Sequence, residues 1–358
     1  MRVLIAAGIY PPDSGGPAVH AKAQFEGFPK LSAQTGLVAL AHYRRWPRGI
    51  RHFFYFLALL RKTSRYEIVY AHDAVGAGIP ALIAARFFSK KFVVRIGGDL
   101  AWEHKAAMQN ISLKEWYAKG EHKKDRMFKL SRWLMRHADM VVVPSPLLVE
   151  LYITHYGLDK QKLRFITNPF PSTNGYVSNT ERTIIWASRL TSYKNLDTAI
   201  KALAPILREK KDLKLIIMGD GPEKERLQTL SQSLGMDANV IFTGAISQEE
   251  VLKKTSQCLF AIAPALTEFN PNYILQGISF GKPFIISREH GLPFEVPEFL
   301  KFDARSDVDL REKITRLLTE ERYREASKFI KSIDVSKNWD DNLRENYSLL
   351  QALLNGSK

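Results

Sequence analysis

Arg189 and Lys194 stand five residues apart in the segment Trp186-Ala187-Ser188-Arg189-Leu190-Thr191-Ser192-Tyr193-Lys194-Asn195-Leu196. A guanidinium offers a planar fork and an ammonium a mobile point charge, so two such groups on one loop can hold a diphosphate, including a departing nucleoside diphosphate. Taken singly, either is as readily a solvated surface cation. Their position directly after a strand-like run, Thr183 to Ala187, favours the ligand-binding reading. A second loop, Pro264-Ala265-Leu266-Thr267-Glu268-Phe269-Asn270-Pro271-Asn272, leads into Tyr273-Ile274-Leu275-Gln276. It places Glu268 beside the start of a helix that opens near Pro271, a residue suited to the first helical turn. There a carboxylate can accept hydrogen bonds from sugar hydroxyls while free amides face an anion. The plainer alternative is an acid that favours a helix start.

A third candidate is Tyr10-Pro11-Pro12-Asp13-Ser14-Gly15-Gly16-Pro17, followed by the helical pattern Ala18 to Phe28. Paired glycines let backbone amides approach phosphate or a sugar oxygen, and a helix N-terminus adds partial positive charge. An ordinary strand-to-helix turn fits equally well. His72-Asp73 closes another strand-like run, although a lone histidine is more often structural. Met218-Gly219-Asp220-Gly221-Pro222 and Phe242-Thr243-Gly244 read as tight turns that mark the fold, with Gly219 a position over which a nucleotide could lie.

These loops need strands behind them. Short β-branched runs alternate with segments of helical period, the pattern of parallel sheets with crossover helices. In the first half the predicted strands are Val3 to Ala7, Gly36 to Leu40, Ile68 to Tyr70, Phe92 to Arg95, Met140 to Val143 and Leu163 to Ile166. In the second they are Thr183 to Ala187, Leu213 to Met218, Val240 to Phe242, Leu259 to Ala263 and Pro283 to Ser287. Asn168 to Thr183, rich in Pro, Gly, Ser and Asn, fits neither period and reads as a linker. With 358 residues, two α/β domains are expected: 1–170 and 171–337, with a C-terminal helix over 338–358 packing back on the first. Leu343, Tyr347, Leu350 and Leu354 share one face of that helix. In open parallel sheets ligands bind beyond the carboxyl ends of the strands, where all the loops above lie.

The net charge is +15, and residues 1–170 hold 26 Lys and Arg against 12 Asp and Glu. A basic half suits an anionic partner. Arg44, Arg45, Arg48 and Arg51 precede the apolar run Phe53 to Leu60. Lys119, Lys123, Lys124, Arg126, Lys129, Arg132 and Arg136 are interleaved with Trp116, Tyr117, Met127, Phe128, Trp133 and Leu134. Either segment could lie in a lipid headgroup layer or be a helix with a solvated basic face. Aromatics are not grouped as stacking platforms and no nucleic-acid motif occurs, so a nucleic-acid partner is not expected. The single cysteine, Cys258, permits no intramolecular disulfide, and no Cys/His cluster suits zinc. The run Met1 to Ile9 is too short for a signal sequence, and Ala74 to Phe88 is too short to span a bilayer.

In their order and spacing these motifs resemble glycosyltransferase family 4, the retaining nucleotide-sugar transferases of GT-B fold. The matching elements are the Tyr10-Pro11-Pro12 loop with Gly15-Gly16, Arg189-Leu190 with Lys194, Gly219-Asp220-Gly221-Pro222, Glu268-Phe269-Asn270-Pro271-Asn272, and Gly281-Lys282-Pro283. The resemblance implies two Rossmann-like domains facing across a cleft and a UDP- or GDP-sugar as substrate. Arg189 and Lys194 would bind its diphosphate and Glu268 the sugar hydroxyls. Gly15, Gly16, Gly219, Phe269, Asn270, Asn272 and Gln276 would complete the donor site.

Two positions depart from the family. Gln276 stands where a glutamate usually receives the ribose, which removes a charge-assisted bond. The usual histidine loop reads Ile96-Gly97-Gly98-Asp99-Leu100-Ala101-Trp102-Glu103. Asp99 there either meets the donor sugar as a catalytic group or caps the following helix. No cofactor is expected, since the nucleotide sugar is a substrate, and without an Asp-x-Asp element at a strand end no metal is expected. The acceptor is expected to be a glycan or lipid-linked. The expected setting is cytoplasmic, with peripheral binding on an anionic inner membrane face, for which Arg44, Arg45, Arg48, Arg51, Lys123 and Lys124 are the acceptor- and membrane-side candidates. The two departures leave open a non-catalytic nucleotide- or sugar-binding scaffold protein of the same fold.

Overall fold

The computed structural model describes residues 1–13, 15–176 and 180–356, with the side chains of 107 and 108 left out. Ser14 of the first loop and 177–179 of the expected linker lie outside the described residues. The chain forms two compact units. One comprises 1–102, 119–169 and 339–358, the other 103–118 and 170–338.

The first stretch of chain runs β1 (Arg2–Ala7), α1 (Gly16–Gly27), β2 (Gln34–Ala39), α2 (Arg48–Thr63), β3 (Ile68–Ala71), α3 (Gly78–Phe87), β4 (Lys91–Arg95), α4 (Leu100–Gln109), α5 (Leu113–Ala118), α6 (Arg126–His137), β5 (Met140–Val143), α7 (Pro146–Thr154) and β6 (Leu163–Phe165). Its strands form a six-stranded sheet in the order β2-β1-β3-β4-β5-β6, parallel throughout. Val3, Ile5, Tyr70, Val93 and Val142 are buried in it. Strands covered on both faces are apolar without alternation, which is why they could be read from the sequence.

The second stretch runs β7 (Thr183–Ala187), α8 (Leu196–Glu209), β8 (Lys214–Met218), α9 (Lys224–Ser233), β9 (Val240–Gly244), α10 (Gln248–Gln257), β10 (Phe260–Ala263), α11 (Asn272–Ser279), β11 (Phe284–Ser287), β12 (Lys301–Phe302), α12 (Asp307–Leu317), α13 (Glu320–Lys331) and α14 (Trp339–Leu354). Its parallel sheet has the order β12-β11-β10-β7-β8-β9 around Ile184, Trp186, Ile217, Ile262 and Ile285. Helix α14 belongs to the first unit, where Leu343 and Leu350 join the core and Asn342 Nδ2 donates to the Thr167 carbonyl at 2.7 Å.

All eleven predicted strands are present within two residues of their expected ends, and β12 adds a twelfth too short to signal itself. The expected boundary at 170 needs one correction: residues 103–118, counted with the first domain, pack in the second unit. Leu113 and Lys114 donate backbone hydrogen bonds to Thr267 and Glu289 there.

Candidate active site

In the second sheet β7 lies between β8 and β10, so successive connections leave it in opposite directions. A crevice at the carboxyl ends of such strands is where open sheets bind ligands. The loop after β7 carries Arg189 and Lys194, and the loop after β10 carries Glu268. The two are fastened together. Leu266 N donates to the Tyr193 carbonyl at 2.9 Å, and Asn195 Nδ2 donates to the carbonyls of Pro264 at 3.0 Å and Ala304 at 2.6 Å. Asn195 is left-handed at φ 57°, a conformation its short amide side chain tolerates, and it turns the chain from the loop into α8.

This bracing lets the Lys194 ammonium form an ion pair with Glu268 Oε1. Glu268 is 2% exposed, so its carboxylate has lost most of its water and the lysine compensates for it. Glu268 N donates to the Glu289 carbonyl at 2.9 Å, and Gly291 N donates to the Glu268 carbonyl at 2.7 Å, fixing the backbone on both sides. The Tyr193 ring lies 5.6 Å from the Lys194 nitrogen. Burial, reinforced by Glu103 and Glu268, keeps the Tyr193 hydroxyl protonated well above its ordinary range. Tyr193 was missed in the sequence; a phenol inside the Arg-to-Lys loop was the available signal. Arg189 is exposed and forms no ion pair among the described residues.

Gly219 follows β8 at φ +139°, and a Cβ there would lie 1.9 Å from the Ser188 carbonyl oxygen. The turn read as a fold marker is thus a backbone contact that supports the Arg189 loop, with Ser188 N donating to the Met218 carbonyl and Leu190 N to that of Asp220. On the other side, Phe269 is buried, Asn270 is half-buried, and Asn272 is exposed at the start of α11. The Tyr273 hydroxyl fastens α11 to β10 through the Ile262 carbonyl at 2.8 Å. Gln276 Oε1 is buried and accepts no hydrogen bond among the described residues.

In the first unit the strand order reverses at β1 and β3. Gly15, at φ +137°, precedes α1 and Gly16 opens it. Asp13 of the same loop forms a bidentate ion pair with Arg44. The loop after β3 is closed by Asp73, whose carboxylate accepts from the amides of Val75, Gly76 and Ala77. His72 is buried. Its Nε2 lies 2.9 Å from Gln24 Oε1, and burial, aided by the Arg95 charge, lowers its pKa to about 3. It belongs to a polar core with Tyr70, Asn346, His20 and Asn168, which fits the structural reading. Asp99 is 1% exposed, and its Oδ1 accepts from the amides of Ala101 and Trp102 at 3.0 and 3.1 Å. It therefore caps α4, whatever else it does.

The two basic segments differ. Trp116, Tyr117, Phe128 and Leu134 are buried, which corrects the expectation that they could lie in a headgroup layer, whereas Met127 is half-buried and Trp133, Lys123 and Lys124 are exposed. Helix α2 instead turns Tyr55, Leu59 and Thr63 inward and leaves Ile50, Phe53 and Phe54 exposed beside Trp46. Arg45 lies over the Trp46 ring at 5.6 Å, and Arg48 and Arg51 flank this face. No Asp or Glu occurs between Glu26 and Glu67. Among the described residues no helix is long and apolar enough to cross a membrane, and no three His, Cys, Asp or Glu side chains are grouped to hold a metal.

Comparison with known proteins agrees with this arrangement. Residues 12–172 match the family model described as Glycosyltransferase Family 4, and residues 174–333 that described as Glycosyl transferases group 1. Alpha-monoglucosyldiacylglycerol synthase of Streptococcus pneumoniae is 30% identical over 118 residues, covering 33% of this chain and 26% of that protein. The chain thus matches well under half the length of that relative. An uncharacterized glycosyltransferase of Methanocaldococcus jannaschii is 21% identical over 342 residues and covers 82% of each chain. The crystal structure of Anabaena HepE in complex with UDP and glucose superposes with a TM-score of 0.75 at 14% identity, covering 98% of this chain and 99% of that one. With both halves matched in order and two parallel six-stranded sheets of the GT-B type, the chain belongs to glycosyltransferase family 4.

Proposed function

We propose that the protein moves a sugar from a UDP- or GDP-sugar to a lipid-linked or glycan acceptor with retention of configuration, in cell-surface polysaccharide or glycoconjugate synthesis. The observation that carries this reading is the Lys194–Glu268 ion pair where the strand order reverses. It joins a cation suited to a diphosphate to a carboxylate suited to sugar hydroxyls. Arg189 supplies an exposed fork for the same diphosphate. Gln276 Oε1 is an acceptor for a ribose hydroxyl, and Gly219, Phe269, Asn270 and Asn272 line the donor site. Gly15, Gly16 and Asp99 keep the roles that the family resemblance implies.

In the transfer, the bond between the sugar's anomeric carbon and the β-phosphate oxygen breaks as the acceptor oxygen bonds that carbon from the same face. The acceptor's hydroxyl proton passes to the departing phosphate. Arg189 and Lys194 stabilise the negative charge that develops on the diphosphate, and the reading invokes no metal. A lipid acceptor is supported by the exposed apolar and basic face of α2 and by the relative named alpha-monoglucosyldiacylglycerol synthase. The protein would then work on the cytoplasmic side, peripherally on an anionic leaflet.

Incubation with UDP-glucose, UDP-N-acetylglucosamine and GDP-mannose, each with extracted membrane lipid, should release nucleoside diphosphate from at least one of them. Arg189→Ala and Glu268→Ala should abolish that release. Undiminished release in both variants would overturn the assigned site. Donor binding without any transfer or hydrolysis would instead favour a scaffold protein.

A further inference from the structure

Glu289 lies just beyond β11 and is not among the residues that the family motifs single out. Its backbone carbonyl accepts from Glu268 N at 2.9 Å. Its side-chain Oε1 accepts from the Thr267 hydroxyl at 2.6 Å and from Lys114 N at 3.0 Å. The Thr267 oxygen in turn accepts from Leu113 N at 3.0 Å. Thr267 is 1% exposed and Leu113 2%, so the bond between them is shielded from water, while Glu289 is half-buried and its bond to Lys114 lies at the surface. Leu113 and Lys114 open α5, and first-turn amides have no partner within their own helix. One carboxylate and one hydroxyl therefore cap α5 and hold the residue next to Glu268. A second clamp lies on the same segment, where Arg305 pairs with Glu115 and reaches the Asn110 carbonyl at 3.4 Å.

We propose that Glu289 is a positioning residue for the donor sugar, fixing the height and direction of Glu268 by tying Thr267 to the first turn of α5. The inference rests on the assignment of Glu268 to the sugar hydroxyls. A carboxylate meant for hydroxyls has to be held within a fraction of an ångström, and bonds to the neighbouring residue from both backbone and side chain do this. The Lys194 ammonium restrains the carboxylate tip only until a diphosphate competes for it. Once a donor is bound, the Glu289 network becomes the main restraint on Glu268. Residues 110–118, from the first half of the sequence, thereby act on the donor sugar through Glu289 without touching it.

The test uses the full chain and whichever nucleotide sugar it turns over in the donor screen above. Titration calorimetry with that nucleotide sugar and with its nucleoside diphosphate, and steady-state turnover, are compared for Glu289→Ala, Glu289→Gln and Thr267→Val. Glu289→Ala should lower turnover about tenfold or more while nucleoside diphosphate affinity stays within about twofold. Glu289→Gln keeps an acceptor oxygen and should recover most of the loss. Thr267→Val, which preserves shape, should lose in the same sense but less. Wild-type turnover in Glu289→Ala alongside an inactive Glu268→Ala would overturn the proposal. Equal weakening of both ligands without rescue by Gln would reduce Glu289 to a merely structural role. Full activity in Glu268→Ala would instead remove the assignment on which the proposal rests.

Discussion

The Lys194 ammonium and the Glu268 carboxylate neutralise each other, yet they are unequally buried: the lysine side chain keeps 16% of its exposure and the glutamate 3%. An anion arriving from solvent therefore meets the lysine first. Without the lysine, a dehydrated carboxylate would be left uncompensated.

Lys194→Ala should accordingly destabilise the protein by about 3 kcal/mol, and Lys194→Ala with Glu268→Gln should restore most of that while staying inactive. Urea unfolding of both variants measures the difference. Equal stability of the single and double variants would contradict the account.

Gly219→Ala should cost more than about 2 kcal/mol, because the strained φ and the approach to the Ser188 carbonyl act together. It should also weaken nucleotide binding, since the Arg189 loop must shift to admit the methyl group. Thermal unfolding with and without nucleotide separates the two effects. A wild-type melting temperature would contradict the described packing.

Much of this was legible in the sequence, for physical reasons that differ by residue. Strands such as Met140–Val143 announce themselves because burial on both faces demands an unbroken β-branched run. Arg189, Lys194 and Glu268 were singled out as candidates because cations and acids at strand ends are easily recognised in a sequence. The pairing of Lys194 with Glu268 was not, since it joins residues 74 apart, and the bond from Leu113 to Thr267 spans 154. Glu289 falls in none of the motifs the sequence offers, because its partners Thr267 and Lys114 are distant along the chain. Trp116 and Phe128 misled because aromatic and basic residues alternating along a helix suit a membrane surface and a half-buried helix equally.

Acidification should weaken the fold through His72. Burial and Arg95 keep it neutral in the folded protein down to about 3, whereas an unfolded histidine takes up a proton near 6.5. The unfolded chain binds more protons between these values, so this contribution is complete above about pH 6.5 and lost towards pH 3, at about 1.4 kcal/mol per pH unit. His72→Gln should flatten the acid limb by about that slope in urea unfolding between pH 7 and 4. An unchanged slope would contradict the role given to His72.

The face of α2 should carry membrane affinity. Phe53→Ser with Trp46→Ser removes two exposed aromatic side chains and should reduce co-sedimentation with phosphatidylglycerol vesicles at least about tenfold, with little change in stability. Lys123→Ala with Lys124→Ala should have a smaller effect. Binding that ignores both the anionic lipid content and the α2 substitutions would contradict this surface assignment.

The most direct test of the donor site is titration calorimetry with UDP and GDP against wild type, Arg189→Ala and Lys194→Ala. The account predicts that one nucleotide binds the wild-type protein and that each substitution weakens it by about tenfold or more, the scale of a lost charge-assisted bond. Absence of binding to either nucleotide, or affinities unchanged in both variants, would contradict the claim that Arg189 and Lys194 hold the donor diphosphate.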